Sequence, residues 1–221
     1  MRKIQGLGDF VLVNESLKQY LEDNVVCFYN KNDKAHDKEH LYYVLNRALG
    51  FAENLNVDHN ILITIVYFHD VAHHINKKEH EKLSADMFLK CTYLKSFFTD
   101  EQRKIIYEAI IDHRASSSSE PRSIYGKIVS TADRNISVES ILKRTYQYRM
   151  QKKELSNINE VIEESYNHIL SKYGKDGYAR NKVYFEDHKF NIFLNEIDIL
   201  LSNKNDFIKV YKKVNNIKEG V

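Results

Sequence analysis

The stretch ILITIVYFHDVAHH, residues 61–74, joins the longest apolar run of the chain to two side chains that are costly to bury. The run 61–68 leads directly into His69 and Asp70. Burying an imidazole or a carboxylate without a partner costs several kcal/mol. The pair is therefore satisfied by a hydrogen-bond network or by a metal ion, or it lies outside the core.

The conformation of the run 61–68 is ambiguous from its own residues. Its β-branched side chains favour a strand, but a buried helical segment has the same apolar character. The sequence before it predicts an amphipathic helix over about 38–56, with Asp37 at the N-cap position. The apolar residues of that helix fall at steps of three, four and seven: Leu41, Val44, Leu45, Ala48, Ala52 and Leu55.

Helices are predicted elsewhere as well. Asn56 or Asp58 is the candidate cap of the element that contains the apolar run, and Thr99 with Gln102 forms a capping-box pattern. A single proline, Pro121, and seven glycines favour long helices over a sheet with frequent turns. Helical patterns cover about 78–93, 99–113 and 124–135.

Two regions carry no chemical motif. RASSSSEPRS (114–123) is the one low-complexity stretch, and its residues suit a flexible surface loop and a substrate-covering loop equally well. After about residue 140 the chain is rich in tyrosine and charge, and it predicts further helices with a loop and an extended piece near 174–185. The role of the Ser-rich loop 115–122 and of the C-terminal third stays open.

Composition excludes several classes of protein. Of the 221 residues, 43% are hydrophobic, which supports one sizeable core or a core with an added helical layer. Lys and Arg number 33 against 31 Asp and Glu, so no nucleic acid or anionic membrane is expected as a partner. Cys27 and Cys91 fit reduced thiols. The N-terminus lacks the pattern of a signal peptide and the longest apolar run is too short to cross a bilayer, so we expect a soluble, cytoplasmic protein.

Four residues are candidate metal ligands: His40, His69, Asp70 and Asp133. Two imidazoles and two carboxylates suit one divalent ion, and the residues alone do not select among Mn²⁺, Fe²⁺, Co²⁺, Ni²⁺, Zn²⁺ and Mg²⁺. Four protein ligands on an octahedral ion leave two positions for water or substrate, as catalysis requires. A cation at this place would also explain why His69 and Asp70 follow an apolar run.

The segments around these ligands carry a resemblance. EHLYYVLNRAL, VYFHDVAHH and KIVSTADRN follow the order H…HD…D and resemble the HD-domain superfamily of metal-dependent phosphohydrolases, in particular its small bacterial hydrolases. The similarity covers about residues 33–140. It implies an all-α fold, an HD-domain helical bundle over 1–140, and therefore a helix at 61–68. Residues 141–221 would form additional C-terminal helices that pack on the core or cap it.

The resemblance also implies roles for residues around the ligands. Asp70 would orient the nucleophile and His113 would donate a proton to the leaving group. His80 and His113 would lie near the metal, as phosphate contacts or as ligands of a second ion. The implied substrate contacts are His36, His80, Arg114, Lys127 and Arg134. The chain departs from alarmone hydrolases, which carry an acidic pair where His73 and His74 stand here.

The leading interpretation is a metal-dependent phosphohydrolase in which a metal-activated water cleaves a phosphoester or pyrophosphate bond. The expected substrate is a nucleotide or another small phosphorylated metabolite, and a homodimer is left open. One alternative is a di-iron oxygenase of the same fold, which would need His80 and His113 as fifth and sixth ligands. The other is a non-catalytic module that binds a nucleotide without turning it over.

Overall fold

The computed structural model describes residues 13–114, 116–117, 119–150, 157–180 and 183–218. The segment 1–12, on which the absence of a signal peptide was argued, and two residues of the Ser-rich loop, 115 and 118, lie outside the described residues. The described part of the chain forms helices, turns and loops and contains no strand, which confirms the all-α fold. None of its helices is both long and apolar enough to cross a membrane.

The chain divides into two compact units, one that ends at Asp133 and one that begins at Arg134. The division falls seven residues before the predicted boundary at 140. Packing of the C-terminal extension on the core stays a prediction. The helices of the first unit are α1 (Glu15–Asn24), α2 (Val26–Tyr29), α3 (Lys38–Ala52), α4 (His59–Phe68), α5 (His80–Lys90), the 3₁₀ turn Tyr93–Ser96, α6 (Asp100–Asp112) and α7 (Ile124–Ala132). Those of the second unit are α8 (Val138–Met150), α9 (Ile158–Tyr173), α10 (His188–Ser202) and α11 (Lys204–Val214).

The ambiguous run is α4, the central helix of the first unit. Asp58 is its N-cap and accepts a hydrogen bond from the backbone N–H of Asn60. Every residue from Ile61 to Phe68 is buried, and α4 packs against α1, α3, α5, α6 and α7. The strand preference of its β-branched residues is overruled because a helix covered on all sides needs apolar residues around its whole circumference.

Two predicted helix starts are confirmed. Asp37 caps α3 and accepts hydrogen bonds from the backbone N–H groups of Glu39 and His40. Thr99 and Gln102 make the capping box that opens α6. α3 ends at Ala52, somewhat before the predicted end near 56.

The second unit has a hydrophobic core of its own. Aromatic and aliphatic side chains from α8 to α11 meet in it, and Phe193 and Phe207 are fully buried there. The buried hydroxyl of Tyr211 lies 2.7 Å from that of Ser165, which satisfies both groups. The region 174–185, where a loop with an extended piece was predicted, shows turns, bends and irregular backbone in its described residues.

Candidate metal centre

The four predicted ligands stand at helix ends of the first unit. His40 lies in the first turn of α3, where the Asp37 cap places it. His69 is the C-cap of α4, Asp70 follows it, and Asp133 is the C-cap of α7. Helix ends turn polar side chains out of apolar packing, so the buried α4 can deliver an imidazole and a carboxylate to one point.

The predicted ligands come together. His40 Nε2 lies 3.0 Å from Asp133 Oδ1 and 3.5 Å from His69 Nε2. Asp70 Oδ2 lies 3.7 Å from His40 Nε2 and 3.5 Å from His69 Nε2. We call His40, His69 and Asp133 the first donor group; their ligand atoms all lie within 4.8 Å of one another.

A second donor group faces the other oxygen of the same carboxylate. Asp70 Oδ1 lies 3.1 Å from His80 Nε2 and 3.6 Å from His113 Nε2. These two ring nitrogens are 3.3 Å apart. His80 and His113 therefore make up the second donor group, and Asp70 is shared between the two groups. Sequence reasoning had placed both histidines near the metal, but it could not show that they converge on Asp70.

Three of the four histidines at the centre are held in one tautomer. Each has Nδ1 within hydrogen-bond distance of the backbone carbonyl three residues earlier. A carbonyl only accepts, so Nδ1 carries a hydrogen, and Nε2 is the nitrogen that remains to bind a metal ion or a second proton. The distances are 2.7 Å from His69 to Val66, 2.6 Å from His113 to Ile110 and 3.1 Å from His80 to Lys77.

This arrangement fits a metal. Lone pairs of Nε2 atoms and oxygens of Asp70 and Asp133 face one another over 3.0–3.7 Å. Such a set of acceptors repels itself unless protons or cations lie between its members. Imidazole and carboxylate ligands whose second ring nitrogen is already bonded are the usual donors to divalent transition metals.

Burial by itself disfavours charge at the centre, and neighbouring charges decide where protons bind. Burial raises the pKa of Asp70, but His69, His113 and His80 outweigh it and hold that pKa well below its usual range. Burial lowers the pKa of His113, yet the hydrogen bond and charge of Asp70 raise it to about 9. Burial lowers the pKa of His69 to about 4. In the metal-free protein His113 therefore carries a proton at neutral pH while His69 is neutral.

The backbone of Asp70 is held from the N-terminal side of the first unit. The hydroxyl of the buried Tyr29, at the end of α2, accepts the N–H of Asp70 at 3.3 Å and donates to the carbonyl of Tyr67 at 3.1 Å. Asn32 Nδ2 donates to the carbonyl of Asp70 at 3.0 Å, and its Oδ1 accepts the N–H of His74 at 2.9 Å. Sequence reasoning missed Tyr29 and Asn32 because no motif marks them.

Asp133 is supported in the same way. Arg47, on α3, donates from Nε to the carbonyl of Ala132 at 3.0 Å and from Nη2 to that of Thr131 at 3.1 Å. These carbonyls belong to the last turn of α7, directly before Asp133. Arg47 thus ties the helix that carries His40 to the helix end that carries Asp133.

A chain of polar contacts leads from the second donor group toward the surface. His80 Nδ1 lies 3.2 Å from Glu81 Oε2, and Glu81 Oε1 accepts a hydrogen bond from Arg114 Nη1 at 3.2 Å. Arg114 also donates to the carbonyl of Lys78 at 2.9 Å. Arg114, a predicted substrate contact, is thereby bonded to Glu81, the residue that follows His80. Its side chain is 37% exposed.

The other predicted substrate contacts differ in their surroundings. His36 stands edge-on to His40, with ring centroids 5.7 Å apart, and so adjoins the first donor group. Lys127 has an ion pair with Glu120 at 3.8 Å. Arg134 begins the second unit, where its buried guanidinium donates to the carbonyl of Ala179 and lies over the ring of Phe190. These contacts favour a packing role for Arg134; its contact with substrate stays a prediction, as does that of Lys127.

Comparison with known families decides the identity of the first unit. The family model of the HD domain matches residues 38–135, which include both donor groups and Asp70. The chain contains an HD domain over these residues. That assignment supports a metal-dependent hydrolase in general terms and leaves the substrate and the bond that is cleaved to be proposed.

Two further comparisons add little to the HD-domain assignment. A solved structure described as a predicted HD superfamily hydrolase from an uncultured Thermotogales bacterium is similar at 21% identity, with a TM-score of 0.46. The similarity covers 69% of this chain and 88% of that one. Among curated proteins there is no significant match.

Proposed function

We propose that this HD-domain protein is a metal-dependent phosphohydrolase that cleaves a phosphoester or pyrophosphate bond of a nucleotide or small phosphorylated metabolite. The observation that carries the proposal is the shared carboxylate of Asp70. One of its oxygens faces His40 and His69, and the other faces His80 and His113.

His40, His69, Asp70 and Asp133 would hold one divalent ion, and Asp70 with His80 and His113 would hold a second. A bound divalent ion lowers the pKa of a coordinated water and polarises a phosphoryl oxygen. We therefore propose two ions where one was predicted from the sequence, because His80 and His113 with Asp70 offer a second set of donors.

Residues of the chain supply the remaining functions of the proposed site. Asp70 orients both donor groups through its two oxygens. Arg114, held by Glu81, presents a partly exposed cation beside the second donor group, where it would offset negative charge on a phosphoryl group. Both ring nitrogens of His113 are engaged and its side chain is buried, so its geometry suits a ligand better than the proton donor expected from the sequence.

The test has two parts. Elemental analysis of freshly purified protein counts the bound ions, and a screen of nucleotides and phosphomonoesters with Mn²⁺, Co²⁺ and Mg²⁺ measures phosphate or pyrophosphate release. Asp70→Ala should lose bound metal and turnover together. Asp86→Asn is the matched control, because Asp86 is a carboxylate of the same unit that pairs with Lys82 on the surface. An active, metal-loaded Asp70→Ala variant would refute the proposal.

The same geometry favours a second candidate, a di-iron oxygenase. Five donor residues and the shared Asp70 supply the six ligands that this chemistry needs, and they converge despite spacings that gave no hint of it. Reconstitution with Fe²⁺ under argon, followed by measurement of oxygen uptake, separates the two candidates. Two irons per chain with oxygen uptake and no phosphate release would favour the oxygenase, whereas phosphate release favours the hydrolase.

The cellular setting belongs to the proposal as well. We propose a cytoplasmic enzyme with a small phosphorylated substrate and without a nucleic-acid or membrane partner. The near balance of 33 basic and 31 acidic residues supports this view. A homodimer stays a prediction that measurement of the molecular mass in solution would test.

A further inference from the structure

A third group of metal-binding side chains lies next to the centre and has no part in the proposed reaction. It consists of Asp33 and His36, in the turn before α3, and His73, in the turn after α4. One ligand atom from each lies within 4.8 Å of the other two. Asp33 and His36 precede the first residue of the HD-domain match, so the family assignment does not account for this group.

The contacts within the third group are close. His36 Nδ1 lies 2.7 Å from Asp33 Oδ1. The rings of His36 and His73 stack with centroids 3.7 Å apart and planes 23° from parallel. Two imidazoles and a carboxylate are thus held together by a hydrogen bond and a stack.

His73 supplies an independent observation that points to a ligand. Only 6% of the residue is exposed, and its Nδ1 is buried without a hydrogen-bond partner among the described residues. A buried polar atom without a partner is uncommon and costs free energy. His73 is buried against the imidazoles of His36 and His80, while His74 bonds to Asn32.

From these observations we propose that Asp33, His36 and His73 bind a divalent transition-metal ion. Bonds of about 2.0–2.2 Å from such an ion to imidazole nitrogen and carboxylate oxygen place two donor atoms roughly 3–3.5 Å apart, so Asp33 Oδ1 and His36 Nδ1, which are 2.7 Å apart, need to separate only slightly. The ion replaces the proton between them. His73 contributes a third donor.

Lys77 contributes to the geometry of this site. Its Nζ lies 2.8 Å from Asp33 Oδ2, which leaves Oδ1 directed at His36. Lys77 thereby fixes the carboxylate without occupying the donor oxygen. Because the two rings are nearly parallel, one of them must turn when the ion binds. His36 has the room to do so, since 22% of its side chain is exposed.

The third group adjoins both donor groups of the centre. His36 lies 5.7 Å from His40, and His73 lies 5.1 Å from His80, between ring centroids. An ion there would be a neighbour of the ions at Asp70 and separate from them. This proposal concerns binding alone and does not depend on which reaction the protein catalyses.

The test counts zinc ions per chain by equilibrium dialysis against Zn²⁺ and elemental analysis. His73→Gln and Asp33→Ala should each bind one ion fewer than the wild type. His74→Gln is the matched control and should bind as many ions as the wild type, because the ring of His74 lies against Asn32 and supplies no donor to the third group. Equal counts in the wild type, His73→Gln and Asp33→Ala would overturn the proposal.

Anomalous scattering from crystals soaked in Zn²⁺ provides the second measurement, which does not depend on the stability of the variants. A peak between Asp33, His36 and His73 in the wild type is expected, and its absence would overturn the proposal. Phosphate release by the wild type separates this result from the proposed function: activity without the third ion refutes only the third site, and a third ion without activity refutes only the reaction.

Discussion

The side chain of Asp70 is the point on which the centre depends. It is almost fully buried, and four imidazoles approach its two oxygens at 3.1–3.7 Å. Without cations, a carboxylate and several lone pairs in one buried place would destabilise the fold. The protein therefore gains stability from whatever positive charge binds there, first a proton on His113 and then a metal ion.

Proton and metal compete for this centre, so metal affinity should depend on pH. The pKa of His113 is raised to about 9, above the value of roughly 6.5 for an unfolded histidine. The stabilisation of the metal-free protein is complete below about pH 6.5 and is lost as the pH rises toward 9. Between pH 6.5 and 9 the affinity for Mn²⁺ should rise, because a smaller fraction of the protein carries the His113 proton that the ion must displace.

Two measurements check this dependence. The melting temperature in chelator should fall between pH 6.5 and 8.5, and calorimetric titration with Mn²⁺ should give tighter binding over that range. Repeating the titration in buffers of different ionisation enthalpy gives the number of protons that are released when Mn²⁺ binds. A metal affinity that is constant from pH 6.5 to 8.5 would contradict the proton on His113.

Substitution of Tyr29 should weaken metal binding more than it lowers the stability of the fold. In Tyr29→Phe the N–H of Asp70 loses its partner, so the position of the shared carboxylate relaxes. Loss of such a supporting contact weakens metal affinity by about 10–100-fold and stability by about 1 kcal/mol. Tyr67→Phe is the control, since this equally buried tyrosine donates to Glu22 instead. Equal metal affinity in the two variants, measured by titration, would show that Tyr29 has no positioning role.

At the scale of the elements, helix ends make the site. The cap of α3 places His40, the C-terminal end of α4 places His69, and that of α7 places Asp133. Each helix is anchored by apolar residues along its length and offers a polar residue where the apolar stripe stops. A substitution at a helix cap should therefore weaken metal binding even where it leaves the hydrophobic core intact.

The Asp37 cap provides a direct test. Asp37→Ala removes the acceptor of two backbone N–H groups, one of them that of His40, and should cost about 1 kcal/mol. Thr99→Ala removes the comparable cap of α6, whose first turn lies at the opposite end of the helix from His113. We expect similar losses of stability in denaturant unfolding, and weaker Mn²⁺ binding only in Asp37→Ala. Weaker Mn²⁺ binding in both variants would mean that the loss of fold stability, and not the position of His40, lowers the affinity.

These examples show which parts of the fold could be predicted. Asp37 and Thr99 act within one turn, so their side chains predict the caps from sequence alone. The conformation of α4 could not be derived from its β-branched residues, because it depends on five neighbouring helices. The contacts of Tyr29 and Asn32 with Asp70 span 41 and 38 residues of chain and carry no motif. The proximity of the four candidate ligands, His40, His69, Asp70 and Asp133, was predictable because a resemblance supplied the long-range pairing.

At the scale of the whole molecule, the metal-binding groups belong to one of the two units. Both donor groups, Asp70 and the third group lie before Arg134, where the second unit begins. The second unit holds its own cluster of buried aromatic residues. Metal binding should therefore stabilise the first unit alone, and a cavity in the second core should leave the number of bound ions unchanged.

Differential scanning calorimetry tests this division, and two transitions are expected. Saturation with Mn²⁺ at about 100 times the dissociation constant should stabilise one of them by about 2.7 kcal/mol. Phe193→Ala leaves a cavity at a fully buried position of the core of the second unit. It should destabilise the other transition, which does not respond to the metal, by about 3–5 kcal/mol. Phe88→Ala, equally buried in the first unit, is the matched control and should lower the metal-sensitive transition instead. A single transition that responds to the metal and to both substitutions would mean that the two cores unfold as one, because independent cores cannot share the free energy of a ligand that binds only one of them.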